Sequence, residues 1–170
     1  MENKNQLSLP ERLKIALQDV GWLCRSTIIW HKPIITPTNQ KDAFTTNFEP
    51  LYLFAKKSQY YFKQQVNSKG ANIRSVWSIP LDHSKTKGLK HVAIFPRKLV
   101  ERPIKAGCPK GGIVLDPFSG SGTTGIVANK LGRKYIGIEI NPNFVKMSQN
   151  RHLQEYKVMA KEYNKMKDLI

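Results

Sequence analysis

The chain has 170 residues, of which 28 are Lys or Arg and 12 are Asp or Glu, so its formal net charge is +16. This length predicts one domain that buries roughly 70% of the surface that its unfolded chain exposes. The sequence is 40% hydrophobic, has only two cysteines, Cys24 and Cys108, and has no apolar run near the ~20 residues that a membrane-spanning helix needs. These features exclude disordered, membrane-spanning and disulfide-framework proteins, and they predict a cytoplasmic protein with no membrane partner.

The first half of the sequence predicts one helix followed by short strands. Residues 8–11 (SLPE) have the S-x-x-E form of a capping box, apolar residues recur at helical spacing over 13–20, and Gly21 is placed to end the helix. Apolar and aromatic runs predict strands at 22–30, 51–55, 60–63 and 76–79, with the second and third forming a hairpin.

The second half predicts a β–loop–α–β unit between two further helices. The first helix is predicted at 96–106, although Pro103 lies inside it. A strand at 113–116, a Gly/Ser loop at 118–122, a helix at 123–131 and a strand at 135–140 follow, and this order implies parallel strands with a right-handed crossover. The pair Asn141-Pro142 then opens a long helix whose predicted apolar side carries Phe144, Met147, Tyr156, Tyr163 and Met166.

The positive charge is concentrated in the middle of the chain. Residues 51–112 carry a net charge of +11, compared with +1 for residues 1–50 and +4 for residues 113–170. This clustering predicts a surface that displaces counterions from nucleic acid, although a solvated lysine-rich face would have the same composition. The candidate phosphate contacts are Lys56, Lys57, Lys63, Lys69, Arg74, Lys85, Lys87 and Lys90.

A glycine-rich segment follows the strand at 113–116. Residues 120–125 (GSGTTG) satisfy G-x-G-x-x-G and open a predicted helix. Glu139 lies nineteen positions after Gly120, at the end of the next strand, where a carboxylate can accept both hydroxyls of a ribose. The pattern predicts a site for an adenosine-containing cofactor, with a tight glycine turn beside a surface glutamate as the alternative.

Asp116 narrows the choice of cofactor. Its carboxylate comes immediately before the loop and would repel a pyrophosphate there, whereas it suits the amino group and sulfonium of S-adenosylmethionine. The loop also lacks the Gly-Lys-[Ser/Thr] of a P-loop, which argues against an NTPase. These residues favour a methyltransferase over a dehydrogenase or an ATPase. An NAD-dependent enzyme is an alternative interpretation only if Asp116 points away from the cofactor.

The sequence resembles the DNA amino-methyltransferases that act on N4 of cytosine or N6 of adenine. Residues 116–124 (DPFSGSGTT) resemble their cofactor-binding motif I, and residues 132–142 (GRKYIGIEINP) resemble their motif II. Residues 90–96 (KHVAIFP) with Leu99 resemble the motif that precedes the glycine loop in the permuted group, whose catalytic motif lies upstream of the cofactor motif. Residues 21–22, 28–33 and 53–56, together with Glu49, resemble the middle strands of that group, so the resemblance covers nearly the whole chain.

The resemblance implies an α/β, Rossmann-like fold of S-adenosylmethionine-dependent methyltransferases. Residues 1–170 would form one portion of a methyltransferase domain, with middle strands and a helix at 1–57, a basic DNA-contact or target-recognition region at 58–90, and a cofactor-binding unit at 91–170.

The resemblance also assigns roles around the cofactor. Asp116, Phe118 and Gly120 would line its methionine end, Glu139 would hold its ribose, and residues 91–96 would close over it. A surface histidine at 91 and a core phenylalanine at 95 are the alternatives for that last segment. The implied cofactor-binding residues are His91, Phe95, Asp116, Phe118, Ser119, Gly120, Gly122, Thr123 and Glu139, and no metal site is implied.

The catalytic tetrapeptide of the family, [Asp/Asn/Ser]-Pro-Pro-[Tyr/Phe/Trp], does not occur in the sequence. In the family it holds the target amino group and stacks an aromatic ring on a flipped-out base. Residues 141–144 (NPNF) are the nearest match, but they lack the second proline and are better explained as a helix start. We therefore expect no catalytic residue in this chain and a fold that lacks the catalytic-motif strand and its neighbour.

The expected function is site-specific transfer of a methyl group from S-adenosylmethionine to the exocyclic amino group of cytosine or adenine in double-stranded DNA. A restriction–modification or phage system is the expected setting. The chain would be a truncated reading frame or one half of a split enzyme, completed by a second polypeptide that carries the catalytic segment. The alternative is a catalytically inactive fragment that acts only as a basic DNA-binding module.

Overall fold

The computed structural model describes residues 6–35, 41–81 and 94–167, and the chain divides into two compact units. The first unit comprises Met1–Tyr60 and Val66–Pro80, and the second comprises Tyr61–Gln65 and Leu81–Ile170. Each unit has its own small β-sheet. None of the helices in the described part of the chain is long and apolar enough to cross a membrane.

The first unit is a three-stranded sheet with one helix. Strand β1 is the central strand, antiparallel to β2 and parallel to β3. The core of this unit includes Trp30, whose indole N–H donates a hydrogen bond to the carbonyl oxygen of Ile79 at 2.8 Å. The elements are α1 Leu9–Asp19, β1 Leu23–His31, β2 Phe48–Ala55 and β3 Val76–Ser78.

The sequence predicts these four elements correctly, but two local predictions are wrong. Residues 60–63 form no strand, and β2 pairs with β1 rather than with a following hairpin partner. Ser8 precedes α1 with a φ of +49° and makes no side-chain capping hydrogen bond, so the capping box is absent. A capping serine needs an extended backbone conformation, which a left-handed residue does not have.

The second unit contains the predicted β–loop–α–β arrangement. Strands β4 and β5 pair in parallel, with Asp116 opposite Gly137, and helix α3 packs against both strands. A buried cluster of Ile104, Val127 and Ala128 joins α2 to α3. The elements are α2 Arg97–Gly107, β4 Ile113–Asp116, α3 Thr123–Lys130, β5 Lys134–Gly137 and α4 Pro142–Lys167, and α2 retains Pro103 as predicted.

One face of the β4–β5 sheet is mainly apolar and is exposed. The opposite face of the sheet is covered: its side chains, such as Val114, pack on the buried cluster of the second unit. Parallel strands are usually covered on both faces. In this sheet, by contrast, the described residues cover only one of the two faces. The exposed face, which we call the open sheet face, carries the exposed Lys134 and four apolar side chains that are each between 51% and 60% exposed: Ile113, Leu115, Ile136 and, just after β5, Ile138.

Candidate functional site

The glycine loop connects the carboxyl end of β4 to the amino end of α3. Gly120 and Gly122 have φ angles of +51° and +79°, in the left-handed region that glycine occupies without a steric penalty. The N–H of Gly122 donates to the carbonyl oxygen of Ser119 at 2.8 Å, which closes the turn. Both glycines are therefore required by the backbone of a tight loop that leads directly into the helix.

Glu139 links this loop to the segment after β5. Its Oε2 accepts a hydrogen bond from the N–H of Gly120 at 2.8 Å, and its Oε1 accepts one from the N–H of Asn141 at 2.8 Å. Each carboxylate oxygen can accept a second hydrogen bond. The two amides thus orient the carboxylate and leave it able to accept hydroxyl groups of a ligand.

Asp116 lies at the last position of β4 and is half-buried. Its Oδ1 accepts the N–H of Phe118 at 3.1 Å, and its carbonyl oxygen accepts the N–H of Ile138 at 2.9 Å. The N–H of Ser119 in turn donates to the carbonyl oxygen of Ile138 at 2.9 Å. These bonds bring the two acidic residues of the predicted site, Asp116 and Glu139, to the same loop.

The other predicted cofactor residues have different surroundings. Phe118 is 87% exposed, and Thr123 is buried at the first position of α3. Phe95 is 53% exposed, which excludes the alternative that it is a core residue. His91 lies outside the described residues.

The candidate phosphate contacts that the structure describes are all on the surface. Lys56 places its Nζ 5.2 Å from the centre of the Trp22 ring, a cation–π contact that leaves the lysine exposed. Three of the predicted contacts, Lys85, Lys87 and Lys90, lie outside the described residues. The exposed contacts are Lys56, Lys57, Lys63, Lys69 and Arg74.

Sequence patterns did not predict the side of α4 that packs on the glycine loop. An atom in the Cβ position at Gly122 would lie 2.9 Å from Cβ of Ser148 and 3.0 Å from Cε1 of His152, with Oγ of Ser148 closer still. The Nη1 atom of Arg151 donates to the carbonyl oxygen and to Oγ of Ser121, both at 2.6 Å, and to Oγ1 of Thr123 at 3.2 Å.

The predicted apolar side of α4 is therefore only partly correct. Phe144 and Met147 are half-buried, but Tyr156 is 55% exposed, and the side chains of Tyr163 and Met166 lie outside the described residues. Several of the residues that face α3 and its loop are polar, and most of them make hydrogen bonds or ion pairs that offset the cost of their partial burial. They follow helical spacing and are Ser148, Arg151, His152 and Glu155.

Glu155 fixes α4 to two other helices of the second unit. It accepts hydrogen bonds from Arg97 in α2 and, at 2.8 Å, from Lys130 in α3. The hydrogen bond from Arg97 is the main cause that lowers the pKa of Glu155 to about 2, and the Lys130 bond adds to it against the opposing effect of burial. Next to it on α4, His152 stacks on Tyr135 with ring centres 5.9 Å apart, and burial raises the pKa of Tyr135.

Residues 141–144 form the start of α4. Oδ1 of Asn141 accepts the N–H of Asn143 at 2.9 Å, and Pro142 is the first residue of the helix. This is an N-cap followed by proline at the first helical position. The prediction that this segment is a helix start is confirmed.

Comparison with known proteins identifies the family. The family model for N6/N4 methyltransferases, described as DNA methylase, matches residues 1–150. The Type II methyltransferase M.Cfr9I of Citrobacter freundii is 38% identical over 157 residues, covering 89% of this chain and 51% of its own length. The Type II methyltransferase M.SmaI of Serratia marcescens is 36% identical over 162 residues, covering 91% of this chain and 54% of its own length.

Solved structures agree with the sequence relatives. The structure of PvuII DNA methyltransferase, a cytosine-N4-specific enzyme, matches 88% of this chain and 59% of its own with a TM-score of 0.76 and 25% identity. The M1.HpyAVI–SAM complex matches 86% of this chain and 71% of its own with a TM-score of 0.68 and 26% identity. The predicted α/β, Rossmann-like fold of S-adenosylmethionine-dependent methyltransferases is confirmed, with a partial sheet. The chain spans about half the length of M.Cfr9I and of M.SmaI, and it belongs to the N6/N4 DNA methylase family.

Proposed function

We propose that this chain is the cofactor-binding part of a site-specific DNA methyltransferase that modifies the exocyclic amino group of cytosine or adenine. The observation that carries the proposal is the pair of hydrogen bonds by which Glu139 joins the Gly120 amide to the segment after β5. This arrangement presents an oriented carboxylate at the carboxyl edge of two parallel strands, the usual position of ligands in such sheets. The Type II names of the relatives support a restriction–modification setting, and the proposed place of action is the cytoplasm.

The residues around the loop fit S-adenosylmethionine. Glu139 would accept the ribose hydroxyls, and Asp116 would attract the positively charged methionine end. A dinucleotide would instead bring its pyrophosphate close to the carboxylate of Asp116, which is unfavourable. The bound cofactor supplies an activated methyl group on its sulfonium, while Phe118 offers an exposed aromatic ring beside the loop.

Double-stranded DNA is the proposed substrate, and the exposed basic residues are its proposed contacts. Contacts of lysine and arginine with phosphates position a protein on a duplex without reading its sequence. These residues therefore account for affinity and leave the recognition sequence to other parts of the enzyme. The proposed contacts are Lys56, Lys57, Lys63, Lys69 and Arg74, together with Lys85, Lys87 and Lys90.

The catalytic segment is proposed to cover the open sheet face, either joined to this chain or supplied by a second polypeptide. Two observations support this: the four apolar side chains of that face are half exposed or more, and the relatives are about twice as long as the matched region. Burial of such a face against an apolar partner is favourable by about 25 cal/mol per Å². The test mixes this chain with the part of M.Cfr9I that it does not match and measures methyl transfer to DNA. Activity only in the mixture supports completion by a partner, and full activity of this chain alone contradicts it.

Calorimetric titration with S-adenosylmethionine tests the cofactor site. We expect binding by the wild-type chain and a loss of about tenfold to hundredfold in Glu139→Ala, because a hydrogen bond to a charged group contributes about 1.5–3 kcal/mol. The matched control is Glu162→Ala, which removes an exposed carboxylate from α4. Absence of binding by the wild-type chain, with affinity for DNA retained, would contradict the proposal and favour a basic DNA-binding module.

A further inference from the structure

We propose that Arg151 is a positioning residue that holds the glycine loop in the conformation that binds the cofactor. The inference rests on the proposed function, and it concerns a residue one position beyond the family match at 1–150. Arg151 does not itself contact the cofactor in this scheme. It acts through Ser121 and Thr123.

The first support is the geometry at the loop. One nitrogen of the guanidinium serves three acceptors on two residues, the carbonyl oxygen and hydroxyl of Ser121 and the hydroxyl of Thr123. Both residues are nearly fully buried, at 6% and 5% exposure. Hydrogen bonds from a charged donor are about twice as strong as neutral ones, so this contact satisfies buried acceptors that would otherwise destabilise the loop.

The second support is the conformational freedom of the loop without this contact. Ser121 lies between Gly120 and Gly122, which both have positive φ angles and restrict their neighbours less than any other residue does. A peptide group between two glycines can rotate at low cost unless its carbonyl is bound. Glu139 holds the Gly120 amide, and Arg151 holds the Ser121 carbonyl, so two charged side chains fix consecutive residues.

The third support is that α4 has other anchors. Glu155, one turn further along, pairs with Arg97 and Lys130, and His152 stacks on Tyr135. These contacts attach α4 to the rest of the second unit without touching Ser121 or Thr123. A variant at Glu155 therefore weakens the attachment of the helix while the contact between Arg151 and the loop is retained.

The experiment compares Arg151→Met with Glu155→Gln in the full chain. We measure S-adenosylmethionine affinity by calorimetry, thermal unfolding, and hydrogen exchange of the loop amides at 119–122 without cofactor. We expect Arg151→Met to weaken binding by about tenfold to hundredfold and to speed exchange of these amides. Glu155→Gln should change the affinity by less than about twofold even though it lowers the unfolding temperature. Arg151→Lys retains a charged donor and should restore part of the affinity.

Each result has a defined meaning. Equal losses of affinity in Arg151→Met and Glu155→Gln, or an unchanged affinity and exchange rate in Arg151→Met, would overturn the proposal because a general attachment of α4 would suffice. If Arg151→Met does not fold, the same comparison is made with Arg151→Lys, which must then show faster loop exchange than Glu155→Gln. If the wild-type chain binds no cofactor, the proposed function fails, while the exchange comparison still decides whether Arg151 fixes the loop.

Discussion

Replacement of Gly122 by alanine should destabilise the second unit more than replacement of any glycine that has open space around it. Gly122 precedes α3 with a φ of +79°, and α4 packs directly against its Cα. The added methyl group would meet Ser148 and His152, as the distances of 2.9 Å to Cβ and 3.0 Å to Cε1 show. Two separate penalties therefore act at one residue.

The size of each penalty follows from the geometry. A left-handed backbone costs a residue with a Cβ about 1–2 kcal/mol. An extra methyl group in a packed contact costs about 1–3 kcal/mol. The expected loss is then about 2–5 kcal/mol, a large part of the ~5–15 kcal/mol by which a typical domain is stable.

Gly132→Ala is the matched control for the first penalty. Gly132 has a similar φ of +72°, but nothing lies within 4 Å of an added Cβ. It should lose only the backbone part, about 1–2 kcal/mol. The steric part is tested in a double-mutant cycle with Ser148→Gly. In the Ser148→Gly background, Gly122→Ala should lower the unfolding free energy much less than it does in the wild type, because the side chain that the new methyl group meets is gone.

Urea unfolding followed by circular dichroism at 222 nm measures these differences. The signal reports mainly the second unit, because α2, α3 and α4 belong to it and only α1 belongs to the first. Equal losses of unfolding free energy in Gly122→Ala and Gly132→Ala would refute the steric argument. So would a failure of Ser148→Gly to reduce the effect of Gly122→Ala.

Three further predictions concern acid stability, helix capping and DNA binding. Because the pKa of Glu155 falls from 4.5 to about 2 in the folded chain, its ion pairs stabilise the fold above about pH 4.5 and lose that effect as the pH falls towards 2. Between pH 5 and pH 3, the unfolding free energy measured with urea should therefore decrease less in Glu155→Gln than in the wild type. Asn141→Ala should cost about 1 kcal/mol of unfolding free energy, whereas Asn141→Ser should retain most of it, and thermal unfolding that fails to separate the two variants would exclude a capping role. Replacement of Lys56, Lys57, Lys69 and Arg74 of the first unit by glutamine should reduce the slope of log K against log salt for duplex DNA by about 0.9 for each phosphate that these side chains neutralise. The control replaces Lys157 and Lys161 on α4. An unchanged slope would place the DNA-binding surface elsewhere.

The parts of the fold that could be predicted are those governed by short-range physics. The glycine loop that opens α3, the helix that starts at Asn141-Pro142, and the two parallel strands around α3 all follow from a few neighbouring residues. The position of Glu139 beside Gly120 follows in turn, because the parallel crossover brings both strand ends to one edge of the sheet.

The parts that could not be predicted depend on distant partners. Tyr60 and its neighbours have strand-forming side chains, yet β2 pairs with β1, which precedes it along the chain. Strand propensity reflects the surroundings of a strand rather than an intrinsic backbone preference. The polar side of α4 has the same explanation, because Arg151 and Glu155 are partly buried only through partners on other elements, and no apolar pattern marks them.

The two hydrogen bonds of Glu139 also bear on the kinetics of ligand capture. Both partners are backbone amides of this chain, so the fold itself orients the carboxylate at which we propose that the ribose binds. A preformed site avoids the entropy cost of ordering a loop and the delay of a conformational change before binding. Association should therefore proceed in a single phase whose rate rises linearly with ligand concentration, and differences in affinity among variants of this loop should lie mainly in the rate of release.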